Sequence, residues 1–136
     1  TRKFAGIEHP ISFHGVIDRI DRKDGVLRIL DYKTGKTEPK ELRPKEITDC
    51  LFDAAFSKSF QVMFYSMLWS EDNQSTLFKA GVISVKNMSA GVLYLTLGTD
   101  TKRTDLYTTD LDVFEKHLEQ MVIEIYNPEI PFKEAD

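Results

Sequence analysis

The dipeptide Asp24-Gly25 lies between two largely apolar segments, and this feature constrains the fold more than any other in the chain. Asp-Gly is the strongest short-range signal for a β-hairpin. Residues 11–21 alternate with period two, which predicts a strand, and residues 26–33 are rich in branched side chains, which predicts the return strand. Residues 22–25 are expected to form the turn. The N-terminal part of the chain should therefore form an antiparallel hairpin.

After the hairpin, the pattern changes from strand to loop and helix. Residues 34–46 contain a Gly, two Pro and many charges, which indicates a loop. Residues 47–57 are ambiguous and fit a short helix. Residues 57–70 predict an amphipathic helix because their apolar side chains recur at helical spacing. These side chains are Phe60, Met63, Phe64, Met67 and Leu68.

The second half of the chain predicts two more strands and a helix. Residues 77–86 and 90–98 are apolar segments around a polar turn, which indicates strands. A final helix is expected over residues 111–126, with Asp110 as its N-cap. The order of hairpin, helix, two strands and helix indicates one mixed α/β domain over residues 1–136.

Composition excludes several classes of protein. No run in the 136 residues approaches the ~18–20 apolar residues of a membrane span. Cys50 is the single cysteine, so an internal disulfide is excluded, and no zinc-type Cys/His spacing occurs. A lone cysteine fits a reducing compartment, and we expect a cytoplasmic protein with no membrane partner.

Charge is unevenly distributed along a chain whose net charge is −4. Residues 19–45 carry nine Lys/Arg against five Asp/Glu, whereas residues 104–136 carry two against nine. A locally basic segment can be the footprint of a nucleic acid. Two solvated surfaces of opposite sign are the alternative, and charge alone does not decide between these interpretations.

Three charged side chains of the predicted hairpin are expected to converge. Asp31 and Lys33 are two residues apart on a strand, so they point to the same face. Counting back from the turn places Asp18 opposite Asp31. Two carboxylates repel each other unless a cation lies between them, and hard cations such as Mg²⁺ and Mn²⁺ prefer oxygen ligands. The alternative is an exposed surface ion pair, worth only about 0–1 kcal/mol.

Three motifs carry a resemblance to a known family. They are GVIDRID at residues 15–21, DYKTGK at residues 31–36 and QVMFY at residues 61–65. In this order and spacing they resemble the PD-(D/E)xK nuclease superfamily, and they are most similar to the RecB/AddB-type exonuclease domain that Cas4-like nucleases share. The resemblance covers residues 11–68. It implies a restriction-endonuclease-like core, with a central mixed β-sheet flanked by helices.

The resemblance also implies roles for individual residues. The residues implied to act in catalysis are Asp18, Asp31, Lys33 and Gln61. Mg²⁺ or Mn²⁺ would be held by Asp18, Asp31 and the backbone carbonyl of Tyr32. Gln61 would help to position the lysine or a water molecule. The alternative for Gln61 is that of an ordinary boundary residue.

DNA is the implied partner, and two groups of residues are candidates to contact it. Tyr65 matches the last position of the third motif, one helical turn from Gln61, and a core position is its alternative. Three basic residues follow the second predicted strand and are placed to meet a phosphate backbone. They are Lys36, Lys40 and Arg43, and a solvated loop is equally compatible with them.

The chain also departs from the family pattern. The family has an upstream helix that carries a further metal ligand, and this sequence has no room for it. We therefore expect a C-terminal fragment of a longer protein. We expect no iron–sulfur cluster within this fragment, because Cys50 is its single cysteine. The implied function is metal-dependent (exo)deoxyribonuclease activity in a RecB/AddB-like DNA end-processing protein, with a helicase subunit or domain as partner. The alternative is a catalytically silent DNA-binding or subunit-docking domain, and the fragment alone could be inactive.

Overall fold

The computed structural model describes residues 2–73, 76–86, 88–99 and 103–132. Within these residues the chain forms five strands and three α-helices. Their bounds are β1 Arg19–Lys23, β2 Val26–Lys33, α1 Ile47–Phe52, α2 Ser57–Asp72, β3 Leu77–Ser84, β4 Val92–Tyr94, β5 Leu106–Tyr107 and α3 Thr108–Ile125. Short 3₁₀ turns lie at Pro39–Leu42, Ala54–Phe56 and Met88–Ala90.

The strands form one mixed sheet in the order β1-β2-β3-β4, and β5 pairs with the opposite end of β3 from β4. β2 and β3 are parallel, whereas the other pairs are antiparallel. A parallel pair needs a long crossover connection, and α1 and α2 provide it here. The predicted fold class, a mixed sheet flanked by helices, is confirmed and is consistent with a restriction-endonuclease-like core.

The predicted hairpin is present, with a tight two-residue turn. Lys23 pairs with Val26, and φ is 54° at Asp24 and 79° at Gly25. Positive φ at both central residues is the signature of a type I′ turn, whose twist matches that of the flanking strands. The turn is therefore shorter than the predicted 22–25, and β1 continues to Lys23.

The prediction of a strand over residues 11–21 was wrong for most of that range. β1 begins at Arg19, and among the described residues before it the only β pairing is an isolated bridge between Arg2 and Ile11. The alternation is nevertheless real, because Ile11, Phe13 and Ile17 pack against the core. An extended segment that lies on the core with one side thus produces a period of two without a partner strand.

Helix α2 closely follows its predicted range and lies at the centre of the core. Val62, Met63 and Met67 are buried, and Phe60 and Phe64 are partly buried against the same cluster. Leu27 and Ile29 of β2 belong to this cluster, so the odd-numbered side chains of β2 face the helices. The ambiguous segment after the loop contains α1, which fits the short helix suggested by the sequence.

Two predictions in the second half need correction. The strand expected over residues 90–98 is limited to β4, and the short strand β5 was missed. Helix α3 begins at Thr108, so Asp110 lies in its first turn and is not the N-cap. The Asp110 carboxylate still serves the helix start, since it accepts a hydrogen bond from the Tyr107 N–H at 2.8 Å and pairs with Arg103 at 2.7 Å.

In the part of the chain that the structure describes, no helix is both long enough and apolar enough to cross a membrane. Cys50 is buried in the core, and burial raises the pKa of its thiol to about 12. It therefore packs as a small apolar side chain.

Candidate active site

The candidate site lies at the C-terminal end of β2, on the face that packs against α2. Asp31 is buried there, with 4% of its surface exposed. Asp18 comes immediately before β1, and the pairing of Arg19 with Leu30 continues so that Asp18 lies beside Asp31. An Asp18 carboxylate oxygen accepts a hydrogen bond from the Tyr32 backbone N–H at 2.9 Å. The hairpin therefore brings the two carboxylates together, as the turn position predicted.

The two carboxylates influence each other's ionisation, and their environments shift their pKa values in opposite directions. The Tyr32 N–H lowers the pKa of Asp18 by stabilising its ionised form. Burial raises the pKa of Asp31, because desolvation disfavours its charged form. A proton shared by the pair would thus reside on Asp31, and a cation that enters the site would compete with this proton.

Lys33 lies on the same face as Asp31 and is fixed from two sides. Its Nζ is 2.8 Å from Asp31 Oδ2, and it donates a hydrogen bond to the Gln61 side-chain oxygen. Gln61 Nε2 in turn donates to the Tyr65 hydroxyl at 3.0 Å. The Lys33 side chain is 24% exposed, so a substrate can reach it. One face of α2 thus orients the lysine, with Gln61 and Tyr65 one turn apart.

The oxygen atoms present fit a hard divalent cation. Asp31 Oδ2 is buried and has no aligned hydrogen-bond donor, although it lies close to the lysine. Mg²⁺ is usually held by one or two carboxylates plus waters and substrate phosphate, and Asp18 and Asp31 supply such a pair. Among the described residues no group of three or more His, Cys, Asp or Glu side chains converges. A metal ligand at the Tyr32 carbonyl stays a prediction.

The three basic candidates lie beside this cluster, not within it. Lys36, Lys40 and Arg43 line a cavity of about 470 Å³ next to the end of β3. Lys40 is paired with Glu38 at 3.2 Å, and both side chains are largely exposed. The structure therefore separates the cluster of Asp18, Asp31 and Lys33 from a neighbouring basic groove, and contact with DNA stays a prediction for the residues of this groove.

The sequence analysis missed two structural features near the site, and the first is a set of contacts from Lys58. Lys58 Nζ donates to the Lys36 carbonyl at 3.2 Å and to the Glu41 carboxylate at 3.1 Å. These contacts tie the basic segment to the first turn of α2. They join residues 17 and 22 positions apart, and no local pattern signals such pairs.

The second feature is the close approach of Gly15 to the Tyr65 ring. A Cβ atom at this position would lie 2.7 Å from Cε1 of Tyr65, which is closer than real contacts allow. Glycine here leaves room for the ring whose hydroxyl accepts the Gln61 hydrogen bond. Gly15 is part of the first motif, GVIDRID. The reason for a glycine there becomes visible only when α2 is placed against the segment that precedes β1.

Comparison with known proteins gives one finding for the whole chain. The family model described as the PD-(D/E)XK nuclease superfamily matches residues 2–136. The search of curated proteins and the search of solved structures each find no match. The matched range contains both carboxylates, the lysine and the helix that holds it, on a mixed sheet with flanking helices. The chain therefore belongs to the PD-(D/E)XK nuclease superfamily.

Proposed function

We propose that this protein hydrolyses DNA phosphodiester bonds with Mg²⁺ or Mn²⁺, as the nuclease module of a RecB/AddB-like DNA end-processing protein. Membership of the superfamily indicates a nuclease, a class that generally uses divalent metals. The observation that supports the proposal is the convergence of Asp18, Asp31 and Lys33, with Gln61 bonded to the lysine. A surface ion pair would have neither a buried carboxylate nor a second carboxylate beside it.

Lys33 has the geometry of a group that acts on the substrate. An ammonium group has three N–H donors; Gln61 takes one of them, and Asp31 Oδ2 lies 2.8 Å from Nζ as an ion-pair partner. The remaining donor capacity can orient an attacking water or stabilise negative charge on the phosphate. Asp18, Asp31 and the Tyr32 carbonyl would hold the ion, which when bound supplies Lewis-acid chemistry at the phosphate. The Tyr32 N–H keeps the Asp18 carboxylate ionised and oriented for this role.

The same proposal assigns the DNA contacts. Tyr65 lies one helical turn from Gln61, and its hydroxyl is tied into the lysine network. Lys36, Lys40 and Arg43 are proposed to contact the phosphate backbone in the basic groove. A helicase subunit or domain would deliver the DNA end to this site in the cytoplasm.

Alanine substitution at the three central residues tests the assignment. Asp18→Ala, Asp31→Ala and Lys33→Ala should each abolish cleavage of labelled DNA in Mn²⁺, while circular dichroism shows a folded protein. Full activity in any one of these variants would contradict the site. Binding of DNA by the wild type without cleavage would instead support a catalytically silent DNA-binding domain.

A melting experiment distinguishes the docking alternative. An ion that binds only the folded form raises the melting temperature, by the equivalent of about 1.4 kcal/mol at ten times its Kd. We expect Mg²⁺ and Mn²⁺ to stabilise the wild type and to have no effect on Asp31→Ala. A domain that serves only to dock another subunit would melt at the same temperature with and without the ion.

A further inference from the structure

The basic groove beside the candidate site continues along β4, and we call the whole feature the β4 groove. It consists of the cavity of about 470 Å³ and a neighbouring cavity of about 240 Å³, which share Pro39, Arg43 and Leu93 as lining residues. Ser84 lines one end of the groove, and Thr96 lines the other. The groove therefore follows β4, the strand at the end of the sheet order.

The near end of the groove lies next to the catalytic lysine candidate. Ser84 is the register partner of Lys33 in the parallel β2–β3 pair, and neighbouring strands are about 4.8 Å apart. Register partners in a parallel pair point to the same face, so Ser84 and Lys33 share the face that bears Asp31. A polymer bound at Lys33 could thus continue into the groove without crossing the sheet.

The groove combines an apolar floor with cations at its rim. Leu93, Pro39 and Ala90 supply apolar surface. Within the described residues no ion pair involves the side chains of Lys36 or Arg43, in contrast to Lys40, which is paired with Glu38. Unpaired cations beside apolar surface suit a ligand that carries both negative charge and a less polar body, as a nucleotide does.

The rim is also held in place. The contacts from Lys58 fix the Lys36 carbonyl and the Glu41 carboxylate, and the Ser59 hydroxyl donates to the Glu41 carbonyl at 2.7 Å. Lys58 and Ser59 lie in the first turn of α2, and Gln61 lies two residues further on. The same helix therefore positions both Lys33 and the basic rim, which favours a site that is formed before its ligand arrives.

We propose that the β4 groove binds the nucleotide unit of the substrate strand next to the scissile phosphate. Its phosphate lies between Lys36 and Arg43, and its sugar and base lie over Leu93 and Ala90. The inference rests on the proposed nuclease function, and it adds a direction: the strand leaves Lys33 towards β4.

A charge series at Ala90 tests this path. Ala90 is exposed and lines the groove, so Ala90→Lys, Ala90→Gln and Ala90→Glu change its charge without disturbing the core. We expect the Kd of a fluorescein-labelled DNA oligonucleotide at low salt to rise in that order, by roughly fivefold overall. Gln120→Lys and Gln120→Glu, on the exposed side of α3, form the matched control and should leave the Kd unchanged.

Arginine substitutions give an independent measurement. Arg43→Gln should raise the Kd several-fold and reduce the salt dependence of binding by about one phosphate contact. Arg22→Gln removes the same charge next to the hairpin turn, where Arg22 pairs with Leu27, about 20 Å from Lys33 by strand rise along β2. It should change neither quantity.

The outcomes separate this inference from the proposed function. If the wild type cleaves DNA but the Ala90 variants share one Kd, the groove is not the path and the nuclease proposal stands. If the Kd follows the Ala90 series but no DNA is cleaved in Mn²⁺, the groove is supported as a DNA-binding surface, but the nuclease proposal and the position next to a scissile phosphate are overturned. If the wild type neither binds nor cleaves DNA, both are overturned.

Discussion

The pair Asp21–Arg28 and the pair Asp31–Lys33 lie on the same hairpin, on opposite faces of its second strand. Arg28 Nε donates to Asp21 Oδ1 at 2.6 Å, and its Nη2 donates to Oδ2 at 2.7 Å. Arg19 adds a further bond to Asp21 at 2.9 Å. The hydrogen bonds from Arg28 lower the pKa of Asp21. Both oxygens of this carboxylate are therefore occupied by fixed donors.

Asp31 has the same charge and a nearby cation, but its surroundings are different. Its Oδ2 has no aligned donor, a second carboxylate lies beside it, and burial raises its pKa. A bidentate pair in which both carboxylate oxygens accept hydrogen bonds stabilises the folded protein. A buried carboxylate with an oxygen that lacks a donor destabilises the folded protein, and such groups are typical of sites that act on a ligand. The comparison teaches that the completeness of hydrogen bonding, not the presence of an Asp and a cation, distinguishes the two pairs.

The largest expected effect is on cleavage. Asp31→Asn and Asp21→Asn remove the same charge from the two pairs without changing side-chain size. We expect Asp31→Asn to lower the rate of DNA cleavage by about 10²–10³-fold, the size seen when one preorganised electrostatic group is lost. Asp21→Asn should keep the wild-type rate. Comparable losses in both variants would remove the distinction between the pairs.

The next effect concerns how the lysine is held. Gln61→Leu removes the acceptor for Lys33 and the donor to Tyr65 at one position of α2. A lysine that has lost this contact is less well oriented, so we expect kcat to fall by about 10–100-fold, as for other outer contacts of catalytic groups. Gln120→Leu on the exposed side of α3 is the control. An effect on KM alone would show that Gln61 serves binding and does not orient the lysine.

The free energy of unfolding should rank the Asp21 and Asp31 substitutions in the opposite order from the cleavage rate. Asp21→Asn is expected to lower the free energy of unfolding by about 1–2 kcal/mol, because charge-assisted hydrogen bonds to Arg28 are weakened. Asp31→Asn should be at least as stable as the wild type, since it removes one of two adjacent carboxylate charges and Lys33 keeps Gln61 as a partner. Urea unfolding in metal-free buffer measures both values. A larger loss in Asp31→Asn would identify its pair as the structural one.

The site could be anticipated because a two-residue turn fixes the register of a hairpin. With the turn at Asp24 and Gly25, residues equally far from it face each other, which places Asp18 beside Asp31. The alternation of strand side chains then adds Lys33. These inferences use only short distances along the chain, so the sequence carries them.

Other features depend on contacts between distant segments, and local patterns do not carry these. The alternation at Ile11, Phe13 and Ile17 reports which side is buried, but not whether a neighbouring strand is present. Likewise, the short strand β5 is defined only by its pairing with β3. The bond from Lys58 to Glu41 arises only after α2 packs on the segment that follows β2, and the fit of Gly15 to Tyr65 only after α2 packs on the segment that precedes β1.

The smallest expected effect is the pH dependence of the stability that the Asp21–Arg28 pair contributes. The pKa of Asp21 is lowered in the folded protein, so its stabilising charge is fully present above the unfolded value of about 3.9 and is lost as the pH falls through the folded value. Asp21→Asn has no such charge to lose. The difference in unfolding free energy between the wild type and this variant should therefore narrow by about 1 kcal/mol as the pH decreases below about 3.9. If this difference in unfolding free energy stays constant, the charge of Asp21 does not strengthen its hydrogen bonds with Arg28. The contrast with Asp31 would then depend on burial alone.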